Sequence, residues 1–223
     1  PKPEQSFLLV NESQNGNIKF RLDANIFAYK VGMVSDALFT DFDGDGWQDL
    51  IVVGEWFELT FYKNNNGKLM HWTDHGLTAT SGFWNSINGA DLDNDGDTDY
   101  VLGNYGTNSL VKATAEYPAK IYSKDFDNNG SYDFIPTVFF KDKNDQLIET
   151  PYHVKGDLIK ELNGIRKNFV FYHQMANAPI DSIITKSMQK DALISQVNYL
   201  NTAILINLGN GKFELKSLPA LAQ

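Results

Sequence analysis

Short apolar runs that stop at glycine or at an Asp-rich turn set the pattern of this chain. Leu50-Ile51-Val52-Val53 ends at Gly54, and Tyr100-Val101-Leu102 ends at Gly103. Such runs are too short for helices and rich in β-branched and aromatic residues, so they predict buried strands. Ala37–Thr40 and Ala119–Ser123 read as extended segments ahead of two of the turns. A second recurrent unit is a hairpin of apolar strand, Asn/Gly turn and mixed strand. It occurs as Phe7–Val10 with Asn17–Phe20, as Leu59–Tyr62 with Lys68–His71, and as Ala203–Ile206 with Lys212–Leu215. Asn and Gly accept the positive φ that tight hairpin turns require.

One stretch departs from this period. Leu158, Ile159 and Leu162 fall at helical spacing, which predicts a helix over Asp157–Leu162 closed by Asn163-Gly164. Phe169–Met175 and Asp181–Leu193 also read as helical, the latter capped by Asp181 or Ser182. Residues 156–194 are therefore expected to form a small helical insertion. It would cover a sheet edge or rim, or act as a lid or partner-docking element.

Between the predicted strands lie three near-copies of one Asp-rich nonapeptide. They are Asp41-Phe-Asp43-Gly-Asp45-Gly46-Trp47-Gln-Asp49, Asp91-Leu-Asp93-Asn-Asp95-Gly96-Asp97-Thr-Asp99 and Asp125-Phe-Asp127-Asn-Asn129-Gly130-Ser131-Tyr-Asp133. Oxygen-bearing side chains recur at positions 1, 3, 5 and 9, position 7 can offer its carbonyl, and position 6 is Gly. Hard cations take six to eight oxygen ligands, so this pattern points to calcium, with two or three ions per chain. Asn129 removes a charge at position 5 and makes the third loop the weakest site on this reading. An EF-hand needs an acidic ligand at position 12, where this chain has Val52, Leu102 and Pro136.

A strand, an Asp-x-Asp-x-Asp-Gly-x-x-Asp loop and a strand ending in glycine resemble the FG-GAP repeats of integrin α-chain β-propellers. The chain more closely resembles bacterial VCBS or FG-GAP-like repeat proteins, including those that carry an ASPIC/UnbV domain, than it does the integrin repeats. The three loops, Gly54-Glu55-Trp56, Gly103-Asn104-Tyr105-Gly106 and Ile206–Phe213 carry the likeness, over about 30–140 and 200–218. A loop unit followed by a hairpin makes four strands, which is one propeller blade. The expected fold is all-β, a single propeller-type domain of about four blades, with units near 7–23, 36–73, 83–117, 119–155 and 195–218. The first unit lacks a loop, so an open, partial propeller from a longer chain is expected. In such proteins the metal is structural and the propeller binds or supports partners.

Charge and composition narrow the field. The formal net charge is −9, and the loops hold twelve of the 28 acidic residues. Three divalent ions would bring that charge to −3, so much of the acidity belongs to the loops. Phosphate-backbone binding needs clustered Lys and Arg, and Arg166-Lys167 and Lys141 with Lys143 form no such stripe. No apolar run approaches a membrane span, Pro1–Gln5 is not a signal peptide, and there is no Cys. Weak calcium loops fill where calcium is abundant, which implies a cell-surface, outer-membrane-associated or periplasmic setting.

Enzymatic motifs are sparse. His71 and His75 lack the neighbouring Glu of a zinc protease, and His153 and His173 read as packing or surface residues. The loop carboxylates could suit a glycosidase, yet their spacing is that of a cation loop. The expectation is a non-catalytic binding or adhesion module for a glycan or a protein. The alternatives are a structural scaffold or, further off, a carbohydrate-active enzyme covered by the insertion. Large aromatic residues would wedge between blades or form a ligand-stacking platform, with Trp47 and Trp56 the first candidates.

Overall fold

The computed structural model describes residues 6–23, 32–162, 164–176 and 178–223, with the side chains of Tyr172 and Ala176 left aside. Pro1–Gln5 and the helix-closing Asn163 considered above lie outside these residues. The chain is mostly β, and its sheets are antiparallel. It divides into two compact units. Thr107–Leu200 form one; the described residues up to Gly106 form the other with Asn201–Gln223.

The larger unit opens with a two-stranded hairpin of β1 (Leu8–Asn11) and β2 (Phe20–Asp23). Then follow β3 (Met33–Thr40), β4 (Asp49–Phe57), β5 (Thr60–Asn65) and β6 (Lys68–Trp72), hydrogen-bonded in that order. Short β7 (Gly82–Phe83) pairs with the far end of β4. The apolar run of β4 is buried on both faces. Leu50 and Val52 meet Tyr62 on one face, with Leu8 of the hairpin packed against them. Gly54 ends the run because β3 passes too close for a side chain: a Cβ there would lie 2.2 Å from the Met33 carbonyl oxygen.

The second sheet starts with β8 (Ser86–Ala90) and β9 (Asp99–Gly103). The chain then leaves to build the Thr107–Leu200 unit. Its strands are β10 (Ala119–Lys124), β11 (Asp133–Lys141), β12 (Leu147–Pro151) and β13 (Leu193–Val197), ordered β12-β11-β10-β13. Between β12 and β13 run α1 (Lys155–Glu161), α2 (Ile165–Asn168), α3 (Tyr172–Ala176) and α4 (Lys186–Gln189). Leu158, Leu162, Ile165, Met175 and Ile184 from this region bury Tyr122, Phe126 and Ile135 of the sheet side. The helical insertion is thus the second layer of this unit's core. Asp181–Leu193 is not one helix. A single 3-10 turn at Ile180–Ser182 precedes α4, which Thr185 caps in place of Asp181 or Ser182, and Leu193 begins β13.

On its return the chain completes the second sheet with β14 (Ala203–Asn207) and β15 (Phe213–Ser217), in the order β15-β14-β9-β8. The sequence pattern divided these four strands between units at 83–117 and 195–218. The pairing of Leu102 with Ala203 and Val101 with Ile204 joins them in one sheet. The first and last strands, β1 and β15, lie in different sheets.

Aromatic rings fill the space between the first and second sheets. Phe61 stacks on Phe213 at 4.8 Å, and the Phe42 ring meets both edge-on at 6.1 and 5.6 Å. Edge-on and offset contacts of this kind add to the burial of the rings. Thr40 and Tyr100 share a buried hydrogen bond of 2.9 Å, and burial pushes the Tyr100 phenol up to about 12. Trp84 is fully buried and donates to the Thr80 carbonyl at 2.8 Å.

Because β9 pairs directly with β14, a short turn replacing residues 107–200 should leave the larger unit folded. Far-UV circular dichroism of a β-sheet type with one cooperative melt is the expected result. A second test concerns His75, whose ring lies 4.8 Å from Phe61. Burial, opposed chiefly by Glu58, lowers its proton affinity. The unfolded chain therefore protonates first as pH falls through about 6.5, and stability declines below that value. The loss of melting temperature between pH 7.5 and 5.5 should be smaller in His75→Gln than in the parent.

Candidate metal loops and an aromatic cluster

All three Asp-rich turns fold the same way, and the hydrogen bonds show why. The position-1 carboxylate accepts backbone N–H groups from across its own loop. Asp41 takes Gly44 (2.9 Å), Asp45 (3.1 Å) and Gly46 (2.8 Å); Asp91 takes Asn94 (2.7 Å) and Gly96 (3.2 Å); Asp125 takes Asn129 (3.0 Å) and Gly130 (2.9 Å). Position 5 accepts the N–H of position 7: Trp47 to Asp45, Asp97 to Asp95 and Ser131 to Asn129, at 2.7–2.9 Å. Position 6 has φ of +89° at Gly46, +98° at Gly96 and +89° at Gly130, a region open to glycine and strained for other residues.

Position 9 anchors the loop from outside. Asp49, Asp99 and Asp133 accept the position-2 N–H of Phe42, Leu92 and Phe126 at 2.8–3.0 Å. Asp49 and Asp99 are completely buried. The second oxygen of Asp49 accepts Asn64 N–H at 2.7 Å, and that of Asp99 accepts Asn207 N–H at 2.9 Å. Asn64 and Asn207 lie at the ends of the third strands of their sheets, the penultimate residue of β5 and the last of β14, and make the same bond to the position-9 carboxylate, so they are equivalent residues. Their common role supports reading 107–200 as an insertion within one repeat. Burial, partly offset by these N–H donors, raises the affinity of the Asp49 carboxyl for a proton; burial does the same at Asp133.

The loops bring carboxylate oxygens within 4.8 Å of one another in three groups: Asp41, Asp43 and Asp45; Asp91, Asp93 and Asp99; Asp125, Asp127 and Asp133. Asp49 and Asp95 fall outside these groups, as does Asp97. Such clusters could bind a metal ion. The donor set is all oxygen, as hard divalent cations require. Asp43 provides a further sign of fit. Its side chain is 5% exposed, and its Oδ1 makes no hydrogen bond within the protein. A buried carboxylate oxygen without a partner is costly unless a cation faces it. Lys63, which the sequence pattern did not single out, pairs with the other oxygen of Asp43 and reaches Asp45 at 3.5 Å. Among the described residues, neither of the other loops has a lysine ion-paired to it.

The tryptophan candidates separate. Trp47 lies in the loop before β4 and Trp56 near the strand's far end, about 23 Å from Asp49 along a strand rising roughly 3.3 Å per residue, so they form no common platform. Trp47 is half-exposed beside the first loop. Trp56 has φ of +66°, rare for so bulky a residue, and such outliers are worth reading as functional. Its ring stands edge-on to Phe83 at 4.7 Å, and Phe83 meets the exposed Tyr105 at 5.7 Å. Asn104 sets this run: its side-chain oxygen accepts the N–H of both Phe83 (3.1 Å) and Tyr105 (2.7 Å). Gly103-Asn104-Tyr105 was visible in the sequence, but its meeting with β7 depends on tertiary pairing. His71 and His75 lie against Tyr62 and Phe61, and the carboxylate groups contain no histidine.

Residues 41–102 match the FG-GAP-like repeat, a segment running from the first loop to the end of β9. No curated protein and no solved structure matches the chain. Among the described residues, no helix is long and apolar enough to cross a membrane.

Replacing Asn104 by Ala leaves two backbone N–H groups without their acceptor, and about 1–3 kcal/mol of stability should be lost. Chemical denaturation monitored by tryptophan fluorescence checks this. Unchanged stability would show that Asn104 does not hold the aromatic run.

Proposed function

We propose that this chain is a calcium-stabilised, non-catalytic binding module built from FG-GAP-type propeller blades, of the bacterial VCBS and ASPIC/UnbV-associated kind. It acts outside the cytoplasm on a glycan or protein partner. The observation that carries the reading is the shared bracing of three loops, which gathers carboxylates into three groups within 4.8 Å. Asp41, Asp43 and Asp45 would hold one ion, Asp91, Asp93 and Asp99 a second, and Asp125, Asp127 and Asp133 a third. When bound, calcium supplies neutralising charge to carboxylates that otherwise repel at short range. The partly exposed Trp56–Phe83–Tyr105 run favours binding over a purely structural role, because aromatic faces bring contact area at low entropic cost.

Calorimetric titration of chelator-stripped protein should show at least two calcium-binding events and a rise in melting temperature. Absence of both heat and thermal shift would overturn the metal reading. Asp93→Ala should lower the melting temperature in calcium but not in chelator, since binding to the native state contributes about 2.7 kcal/mol at a hundredfold excess over Kd. Lys63→Gln should tighten the first site, and Asn129→Asp the third. A glycan array probed with the parent and with Tyr105→Ala tests the partner class. Equal signals from the two proteins would remove the aromatic run from recognition.

A further inference from the structure

Within the Thr107–Leu200 unit, the segment joining β12 to α1 and the body of α3 flank an open cleft of about 320 Å³. That size lies at the lower end of small-molecule sites. His153, Lys155 and His173 bring basic nitrogens to its wall, and Met175, Val154 and Pro151 supply apolar surface. The two histidines, twenty residues apart in sequence, belong to one site.

The basic groups are held in place. The His173 ring lies parallel to Phe171, 5.6 Å away and tilted by 13°. Lys155 Nζ donates to the Val170 carbonyl at 2.6 Å, which fixes the ammonium between the start of α1 and the chain entering α3. His153 Nδ1 is enclosed and makes no hydrogen bond within the protein. The nearby acid, Asp157, is engaged by Lys160 Nζ at 2.8 Å.

The lining selects the ligand class. Among the described residues, the lining contains no carboxylate. Among the described residues, His153 and His173 join no group of three metal-ligating side chains, which disfavours a transition-metal site. Met175 is 6% exposed and soft enough to pack against an irregular apolar body.

We propose that this cleft binds a small carboxylic acid with an aromatic or branched aliphatic body. The carboxylate faces His153, Lys155 and His173, and the body rests on Met175 and Val154. The site is independent of the Asp-rich loops and of the aromatic run near Trp56.

Methionine-methyl NMR tests this in the full chain. The chain has four methionines, and Met33 and Met70 lie in the other unit as internal controls. Benzoate should shift the Met175 methyl saturably and leave Met33 and Met70 unmoved. Benzyl alcohol, its uncharged counterpart, should bind at least tenfold more weakly. Lys155→Gln and His153→Phe should each weaken benzoate tenfold or more with benzyl alcohol unaffected. If His153→Phe fails to fold, as its melting curve would show, Lys155→Gln and His173→Gln carry the test. No saturable Met175 shift, equal affinity for the two probes, or full benzoate affinity in the folded variants would overturn the proposal.

Discussion

A buried carboxylate at the ninth position of each of the first two loops holds the larger unit together. Asp49 and Asp99 have no exposure to solvent, yet each joins three parts of the chain: the start of its loop, the second strand it begins, and the third strand through Asn64 or Asn207. Without those N–H donors, burying a charge there would cost several kcal/mol. The strands must therefore keep their register for the carboxylate to be tolerated, and the carboxylate in turn fixes the loop.

The brace also explains why one repeat can survive interruption. Asn207 meets Asp99 as Asn64 meets Asp49, although 108 residues separate the first pair and 15 the second. Antiparallel pairing requires only that the strand ends stand close together, and the connection between them can be short or can be a unit with its own core. The third loop shows what changes in that unit. Asp133 keeps its bond to Phe126, but the neighbouring Phe134 N–H is taken by Glu161 of α1, so a helix stands where the other loops meet a third strand.

Much of this was legible from residues alone. Apolar runs ending in glycine located β4 and β9, with burial complete in the β4 run but broken at the exposed Val101 of β9, and the Asp register located all three loops, because both signals are local. The assignment of β14 and β15 to the sheet of β9 was not legible, since their alternation would suit any neighbour. The helix expected over Asp181–Leu193 failed for a local reason: Thr185 is extended, with ψ of 160°, and Lys190 has left helical geometry, with ψ of 131°, so only Lys186–Gln189 remain helical. Lys63, Asn104 and the meeting of His153 with His173 arise from tertiary placement, to which a one-dimensional pattern is blind.

The interrupted sheet also has a history during synthesis. Strand β9 emerges from the ribosome about one hundred residues ahead of β14, a delay of roughly 5 to 20 seconds at typical elongation rates. Throughout that interval one flank of β9 is an open edge, the kind of surface that templates pairing with other nascent chains. The inserted unit, dominated by contacts within itself, can fold during the wait and bring β14 to its place as a tethered strand. The insertion thereby trades a period of aggregation risk for a self-folding spacer, and a chain slow to fold that spacer would show its defect first as misassembly of the other unit.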